Sequence, residues 1–401
     1  MEMYNIQDEF FTQLKPPLNT TYLTHNFHPY AAKFIPQIPA FFINKYTSEN
    51  DIILDPFCGS GTSLVEAKLL GRSAVGVDVN ELSVLISKVK TTKINVEELQ
   101  LADKVIQTAR SEIIRCYSKI DSSKNLDFYV NDDKISTSLN YIFPKFSNVN
   151  HWFQTDSIYE LSIIKNLIDN SDISSDLKNF LFLAFSSIIV ISSNQDSETR
   201  YSAKQKNHPK FFVINQFETK VRSMKQRMLE FNKKASDSVV SVFCHDSRDL
   251  GAILKSETID FAVTSPPYPN TYDYYLYHKQ RMNWLNFDWL KAKNNEIGSR
   301  LRYSSYKENV SSYIGDMSKA FLGVSEALNP NGRFIVVIGD SYVKGIKYFG
   351  DELLRLASKG SGFILEESFS YDLSMSSKVF NKSFRKNGKK EHIMIFKKLR
   401  G

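Results

Sequence analysis

The sequence predicts an α/β fold: a mostly parallel sheet covered on both faces and interrupted by a large helical insertion. Three observations predict it. Short apolar, β-branched runs alternate with helical patterns toward both ends of the chain. A Gly-rich turn directly follows the first such run. Over residues 96–236 strand signals nearly vanish, and apolar residues recur at helical spacing instead.

The elements follow in order. Ile52-Ile53-Leu54 reads as a short buried strand that runs into Asp55-Pro56-Phe57-Cys58-Gly59-Ser60-Gly61-Thr62. A helix over Ser63–Leu70 is closed by Gly71, the residue type favoured just past a helix end. Ser73–Val77 forms a second strand ending at Asp78, and a helix over Glu81–Lys90 completes a βαβ unit. Glycines at the first turn of such a unit place a ligand at a helix N-terminus. The alternation resumes at Val239–Phe243, which leads to His245-Asp246-Ser247-Arg248. Ile259–Val263 then leads to Thr264-Ser265-Pro266-Pro267-Tyr268. A helix over Val310–Leu328 stops at Asn329-Pro330-Asn331-Gly332, and Phe334–Ile338 follows as a strand. Helix Asp351–Ser358 and strands Phe363–Glu366 and His392–Lys397 close the pattern. Between the halves, Leu161, Ile164, Leu167 and Ile168 share a helical face, Leu177–Ile191 continues it, and Gln216–Asn232 is a further helix. The Ser/Asn/Asp-rich piece Ser122–Asn140 reads as a loop. Residues 1–95 and 237–401 therefore form one catalytic domain, with 96–236 as an inserted helical region and a candidate for recognising a partner.

A chain of 401 residues with 42% hydrophobic and 24% charged composition is an ordinary globular protein. Its net charge of +7 is unevenly placed. Glu198–Lys234 carries ten Lys or Arg against three Glu, and from Ser374 onward nine Lys or Arg oppose only Glu391. Such stripes suit a polyanion, and they are also common as solvated faces. Three scattered cysteines, Cys58, Cys116 and Cys244, exclude a disulfide framework and a Cys-x-x-Cys zinc site. His151, His208 and His245 show no metal-ligand spacing, so no metal is expected. The acidic amino terminus lacks the basic region of a signal peptide. The most apolar stretch, Phe180–Ile191, is broken by Ser186 and Ser187 and is shorter than the ~20 residues a membrane span needs. A soluble cytoplasmic protein is expected.

Two segments about 200 residues apart carry the chemistry. In the first, Gly59 and Gly61 let the backbone approach a ligand with no Cβ in the way. No Walker-type lysine is present, which suits a cofactor without phosphate such as S-adenosylmethionine. Its amine can pair with Asp55 and its carboxylate with backbone N–H groups near Gly61 and Thr62. Asp78 is placed to accept the ribose hydroxyls, and Asp246 to accept the adenine amine. Ordinary turns with solvent-facing acids are the alternative. Cys58 has no base poised to activate it and reads as a small filler. In the second segment, the Ser265 hydroxyl and the Pro266 carbonyl are acceptors for the hydrogens of an exocyclic base amine. Acceptors there favour a pyramidal nitrogen and free its lone pair. Pro266 and Pro267 stiffen the loop, and Tyr268 offers a face on which an extruded base can stack. No Pro-Cys pair occurs, so the cysteine nucleophile needed for attack at cytosine C5 is absent.

Together these two segments resemble the signature motifs of the DNA amino-methyltransferases, which make N4-methylcytosine or N6-methyladenine. The resemblance covers roughly residues 25–90 and 238–398. It implies a Rossmann-like methyltransferase sheet, S-adenosylmethionine as donor, base flipping, and double-stranded DNA as partner. It places the catalytic tetrad on Ser265, Pro266, Pro267 and Tyr268, and the cofactor loop on Asp55, Phe57, Gly59, Ser60, Gly61 and Thr62. A first-position Ser resembles the cytosine-N4 branch, whereas Asp or Asn is more frequent in the adenine-N6 branch. His28-Pro29-Tyr30-Ala31-Ala32-Lys33-Phe34-Ile35-Pro36 resembles the family segment flanking the methionine end of the donor, where Lys33 would meet its carboxylate. A Pro-bounded loop packed on the sheet is the alternative. A restriction-modification or phage-defence setting with a cognate nuclease is also implied. RNA guanine-N2 methyltransferases share a similar loop and tetrad and are a competing reading.

Two stretches suit nucleic-acid contact. Arg200, Tyr201 and Lys204 fall in a polar, looped region with Lys206 and Lys210. Tyr272, Tyr274, Lys279 and Arg281 follow the catalytic loop and mix aromatic with basic side chains. Half of the tyrosines there fit a core role equally well.

Overall fold

The computed structural model describes residues 5–15, 18–123, 143–372 and 390–399. Its centre is a seven-stranded sheet. The strands in chain order are β1 Ile52–Asp55, β2 Ser73–Asp78, β3 Val240–Cys244, β4 Ile259–Thr264, β5 Leu328–Gly339, β6 Phe363–Asp372 and β7 Lys390–Lys398. Their spatial order is β6-β7-β5-β4-β1-β2-β3. The five strands from β5 to β3 pair in parallel, whereas β7 runs antiparallel between β5 and β6. The chain thus winds outward from β1 through β2 to β3, then returns to lay β4 against the other side of β1. Strand order reverses there, and a doubly wound sheet opens a crevice at its carboxyl ends at that point.

Both faces of the sheet are apolar because alternate residues point to opposite sides. Phe261, Val263, Ile335, Val337, Ile393 and Ile395 join one core with helices α1 Gln37–Tyr46 and α2 Thr62–Leu69. Ala262, Phe334, Val336, Ile338, Met394 and Phe396 face the opposite core, built on α8 Val310–Ala327 and α9 Gly350–Ala357. Local signals start the helices where the sequence places them. Asn80 accepts from Leu82 N to cap α3 Glu81–Thr91, and Asn309 caps α8 in the same way through Ser311 N. The helix expected from Gln216 starts four residues earlier, as α7 Phe212–Lys234.

The inserted region contributes α4 Val96–Ser123, α5 Thr155–Asn170, α6 Ser175–Ile188 and α7. Most of the expected Ser122–Asn140 loop, and the basic segment 374–389, lie outside the described residues. The region differs from expectation in one respect. Residues 195–203 form a two-stranded hairpin, Gln195–Ser197 with Arg200–Ala203. Its core is also not its own. Leu161, Leu181, Phe217 and Met228 pack in one continuous cluster with Leu82, Leu85, Ile86 and Val89 of α3, and with Met282 and Trp284 downstream of the catalytic loop. No described helix is long and apolar enough to cross a membrane.

Candidate functional site

The two loops singled out in the sequence meet at the switch point. β1 and β4 are paired neighbours, with Ile53 opposite Phe261 and Leu54 opposite Ala262. At their carboxyl ends the Thr264 hydroxyl donates to Asp55 Oδ1 at 2.6 Å. Strand pairing therefore carries the Gly-rich turn and the Ser-Pro-Pro-Tyr loop to the same rim.

Between them lies an open cleft. Asp55, Phe57, Gly59, Ser60, Thr62, Asp78 and Asp246 line it, as do Lys33, Ser265 and Pro267. Gly61, between the lining residues Ser60 and Thr62, caps α2 in the left-handed region at φ 72°, and a Cβ there would sit 2.7 Å from Ser87 Oγ. Only glycine combines that φ with that clearance.

Asp55 is buried and Asp78 half-buried, and both strand-end acids are tied to backbone. Asp55 accepts from Phe57 N at 3.1 Å, and Asp78 from Gly59 N at 3.0 Å and Asn80 N at 2.8 Å. Burial pushes each carboxyl up to about 6, against the pull of those hydrogen bonds. Asp246 is different. Burial pushes it up, but Arg248 holds it from two sides and its carboxyl stays below the usual range. Lys33 borders the cleft, donates to His25 O at 3.1 Å, and is brought down to about 8 by burial. A cationic ligand group fits beside Asp55 and Asp78, since an opposite charge relieves the penalty that burial places on their ionised forms.

Sequence reasoning missed part of the wall. Tyr30 stacks on Tyr274 at 5.5 Å, and both line the cleft. Glu296 closes it from a connecting loop, accepting from Tyr274 N and Tyr275 N, and burial pushes its carboxyl up to about 8. The His-Pro-Tyr segment was legible as a unit, but nothing in the letters around Glu296 marks it.

The expected nucleic-acid residues divide. Arg200 and Lys204 are exposed on the hairpin, and Lys279 lies over Trp289 at 3.9 Å. Gln280 Nε2 donates to Tyr201 Oη at 3.0 Å, which brings the hairpin beside the segment that follows the catalytic loop. Tyr272 stacks obliquely on Tyr274 at 5.5 Å. Arg281 departs from expectation: it is fully buried, held by Glu198 at 2.6 Å and by Ser186 O at 3.0 Å, so no guanidinium faces solvent there. Tyr274 likewise belongs to the cleft wall and not to the outer mouth.

An open doubly wound sheet with a Gly-rich turn and a Ser-Pro-Pro-Tyr loop at one switch point defines an α/β methyltransferase architecture. The family model described as DNA methylase matches residues 5–89. The type II methyltransferase M.MvaI of Kocuria varians is 30% identical over 69% of this chain and 59% of its own. The type II methyltransferase M.MjaII of Methanocaldococcus jannaschii is 24% identical over 79% of this chain and 72% of its own. A tRNA (guanine(10)-N2)-dimethyltransferase of the same organism is 36% identical, over only 25% of this chain and 26% of its own. The match thus spans under two thirds of M.MvaI. The family model and these type II relatives support the DNA amino-methyltransferase family, of the N4 or N6 kind, for this chain.

Proposed function

We propose that this protein is a site-specific DNA methyltransferase that transfers a methyl group from S-adenosylmethionine to the exocyclic N4 amine of a flipped cytosine. The observation that carries the reading is the junction of Asp55 and Thr264, which sets Ser265 at the lip of a cleft lined by Asp55 and Asp78. In this reading Asp55 holds the donor's amine, Lys33 its carboxylate, Asp78 its ribose and Asp246 its adenine edge. The α2 N-terminus at Gly61 and Thr62 adds N–H groups that favour a carboxylate. Bound there, the donor supplies an electrophilic methyl carbon on a sulfonium, so no covalent enzyme adduct is needed. Ser265 Oγ and the Pro266 carbonyl accept from the base amine and localise its lone pair, while Tyr268 stacks on the base. Arg200, Lys204 and Lys279 lie on the surface beside the hairpin and suit phosphate contacts, which fix register without reading sequence. Tyr201 and Tyr272 lie alongside as stacking platforms. A restriction-modification or defence role, with a nuclease partner, fits the type II relatives.

The test is direct. The purified chain is incubated with unmethylated genomic DNA and the donor, and the digested nucleosides are separated by mass. N4-methyldeoxycytidine is expected. N6-methyldeoxyadenosine would move the assignment to adenine, and a product only on transfer RNA would overturn the DNA reading.

A further inference from the structure

One carboxylate outside both motifs reaches the catalytic loop. Glu391 lies on β7, the strand inserted antiparallel between β5 and β6, 123 residues along the chain from Tyr268. The Tyr268 phenol donates to Glu391 Oε1 at 3.3 Å and lies 3.2 Å from Ser265 Oγ. From the other side, the Tyr371 phenol of β6 donates to Glu391 Oε2. The pairing is built into the sheet, since Tyr371 and Gly339 flank Glu391 in register. Gly339 leaves room for the Tyr268 ring: a Cβ there would stand 2.9 Å from Tyr268 Cε2.

The direction of this chain of hydroxyls matters. An ionised carboxylate only accepts, so Glu391 takes the Tyr268 proton into its own hydrogen bond. Tyr268 Oη is then left as an acceptor, and the Ser265 hydroxyl proton turns toward it. Ser265 Oγ consequently shows lone pairs, and no proton, to whatever lies in front of it. A base amine needs that from its neighbour, because a serine that donated would compete for the lone pair that has to react. Neutral Ser265 also cannot keep a proton that it receives.

We propose that Glu391 is a positioning residue and proton sink for the methyl transfer, acting through Tyr268 on Ser265. This rests on the methyltransferase reading above. The methylated amine loses its proton to Ser265 Oγ while the serine proton passes to Tyr268 Oη and the tyrosine proton to Glu391 Oε1. One N–H bond breaks and one O–H bond forms at the carboxylate, and the two hydroxyls end as they began. Tyr371 holds the second carboxylate oxygen, so the sink stays aligned. The titratable groups facing Glu391 are Tyr268, Tyr272, Tyr371 and His392. Burial raises its carboxyl above the ordinary value, so the acceptor form disappears as the medium turns acidic, and the hydroxyl chain loses its direction.

Glu391→Gln and Glu391→Asp are compared with the wild type in single-turnover methylation of DNA at saturating donor, from pH 5.5 to 8.5, with donor affinity measured by calorimetry. The expected result is a rate about 100-fold lower in Glu391→Gln. Donor affinity should be unchanged, the acid limb of the rate profile should vanish, and Glu391→Asp should regain part of the rate and the limb. An unchanged rate and limb in Glu391→Gln, beside an active wild type, overturns the relay alone. A rate loss matched by an equal loss of donor affinity overturns it too, since that marks a structural role. A wild type that methylates no DNA removes the reading on which the relay stands, and the relay with it.

Discussion

Asp55 ends β1 and Ser265 directly follows β4, and the Thr264 hydroxyl ties the two strand ends into one rim. Their roles separate in experiment. Ser265→Ala should lower the transfer rate roughly 100- to 1,000-fold, as the loss of one preorganised acceptor does, while donor affinity holds. Steady-state kinetics with calorimetry checks both. Asp55 and Asp78 lead to a pH dependence. Each is pushed up to about 6 by burial, and in the proposed reading the ionised form is the one that binds the donor, Asp55 through its cationic amine and Asp78 through its ribose hydroxyls. Donor affinity should therefore rise from pH 5 to pH 7, by up to about tenfold per pH unit for each group below its midpoint. Asp55→Asn should weaken binding and flatten that slope; a slope that persists would assign the dependence elsewhere. These residues were legible because their motifs are contiguous and each ends a strand. Tyr30 was legible only as part of its His-Pro-Tyr segment. Glu296 and Glu391 were not legible, because each reaches the site through a loop or a distant strand with no local pattern of its own.

The Gly-rich turn shows what a short element can fix. β1, the turn and α2 follow from a β-branched run, two glycines and a helix start, all read over consecutive residues. The hairpin at 195–203 was missed for the opposite reason. Its strands are three and four residues long, polar, and mostly exposed, so neither alternation nor apolar content marks them. The apolar run of α6 carries Ser186 within it, where its hydroxyl meets buried His28 Nε2 at 3.0 Å. At the turn, Gly61→Ala would need φ 72° from a residue with a Cβ and would also press on Ser87. A loss of about 1–3 kcal/mol is expected from denaturant unfolding, together with weakened donor binding. Full donor affinity in this variant would show that the left-handed cap is dispensable.

The inserted helices and the sheet share their interior, which bears on how the molecule unfolds. Leu82, Leu85, Ile86 and Val89 of α3 bury into the inserted helices, so a chain lacking residues 96–236 would expose them all. Helical spacing replaces strand runs over residues 96–236, which is why the sequence reads them as an insertion. It could not show the shared core, because helical periodicity says which face is apolar and not what covers it. Glu198 and Arg281 cross-link the same two regions through an ion pair that is buried on the Arg281 side and partly exposed on the Glu198 side. Removing Glu198 leaves Arg281 as an uncompensated interior charge, but the Glu198 side chain is 41% exposed, so Glu198→Gln should cost less than the roughly 3–5 kcal/mol of a fully buried pair. Trp152 lies in the inserted region, and Trp284 and Trp289 belong to or pack against the core it shares with the segment after the catalytic loop, whereas far-ultraviolet dichroism reports the whole chain and donor binding reports the sheet rim. One cooperative body requires tryptophan emission, dichroism and donor binding to be lost at the same midpoint. Emission changing several degrees before the others would mean that the inserted helices melt alone, and that the sheet tolerates an exposed α3 face.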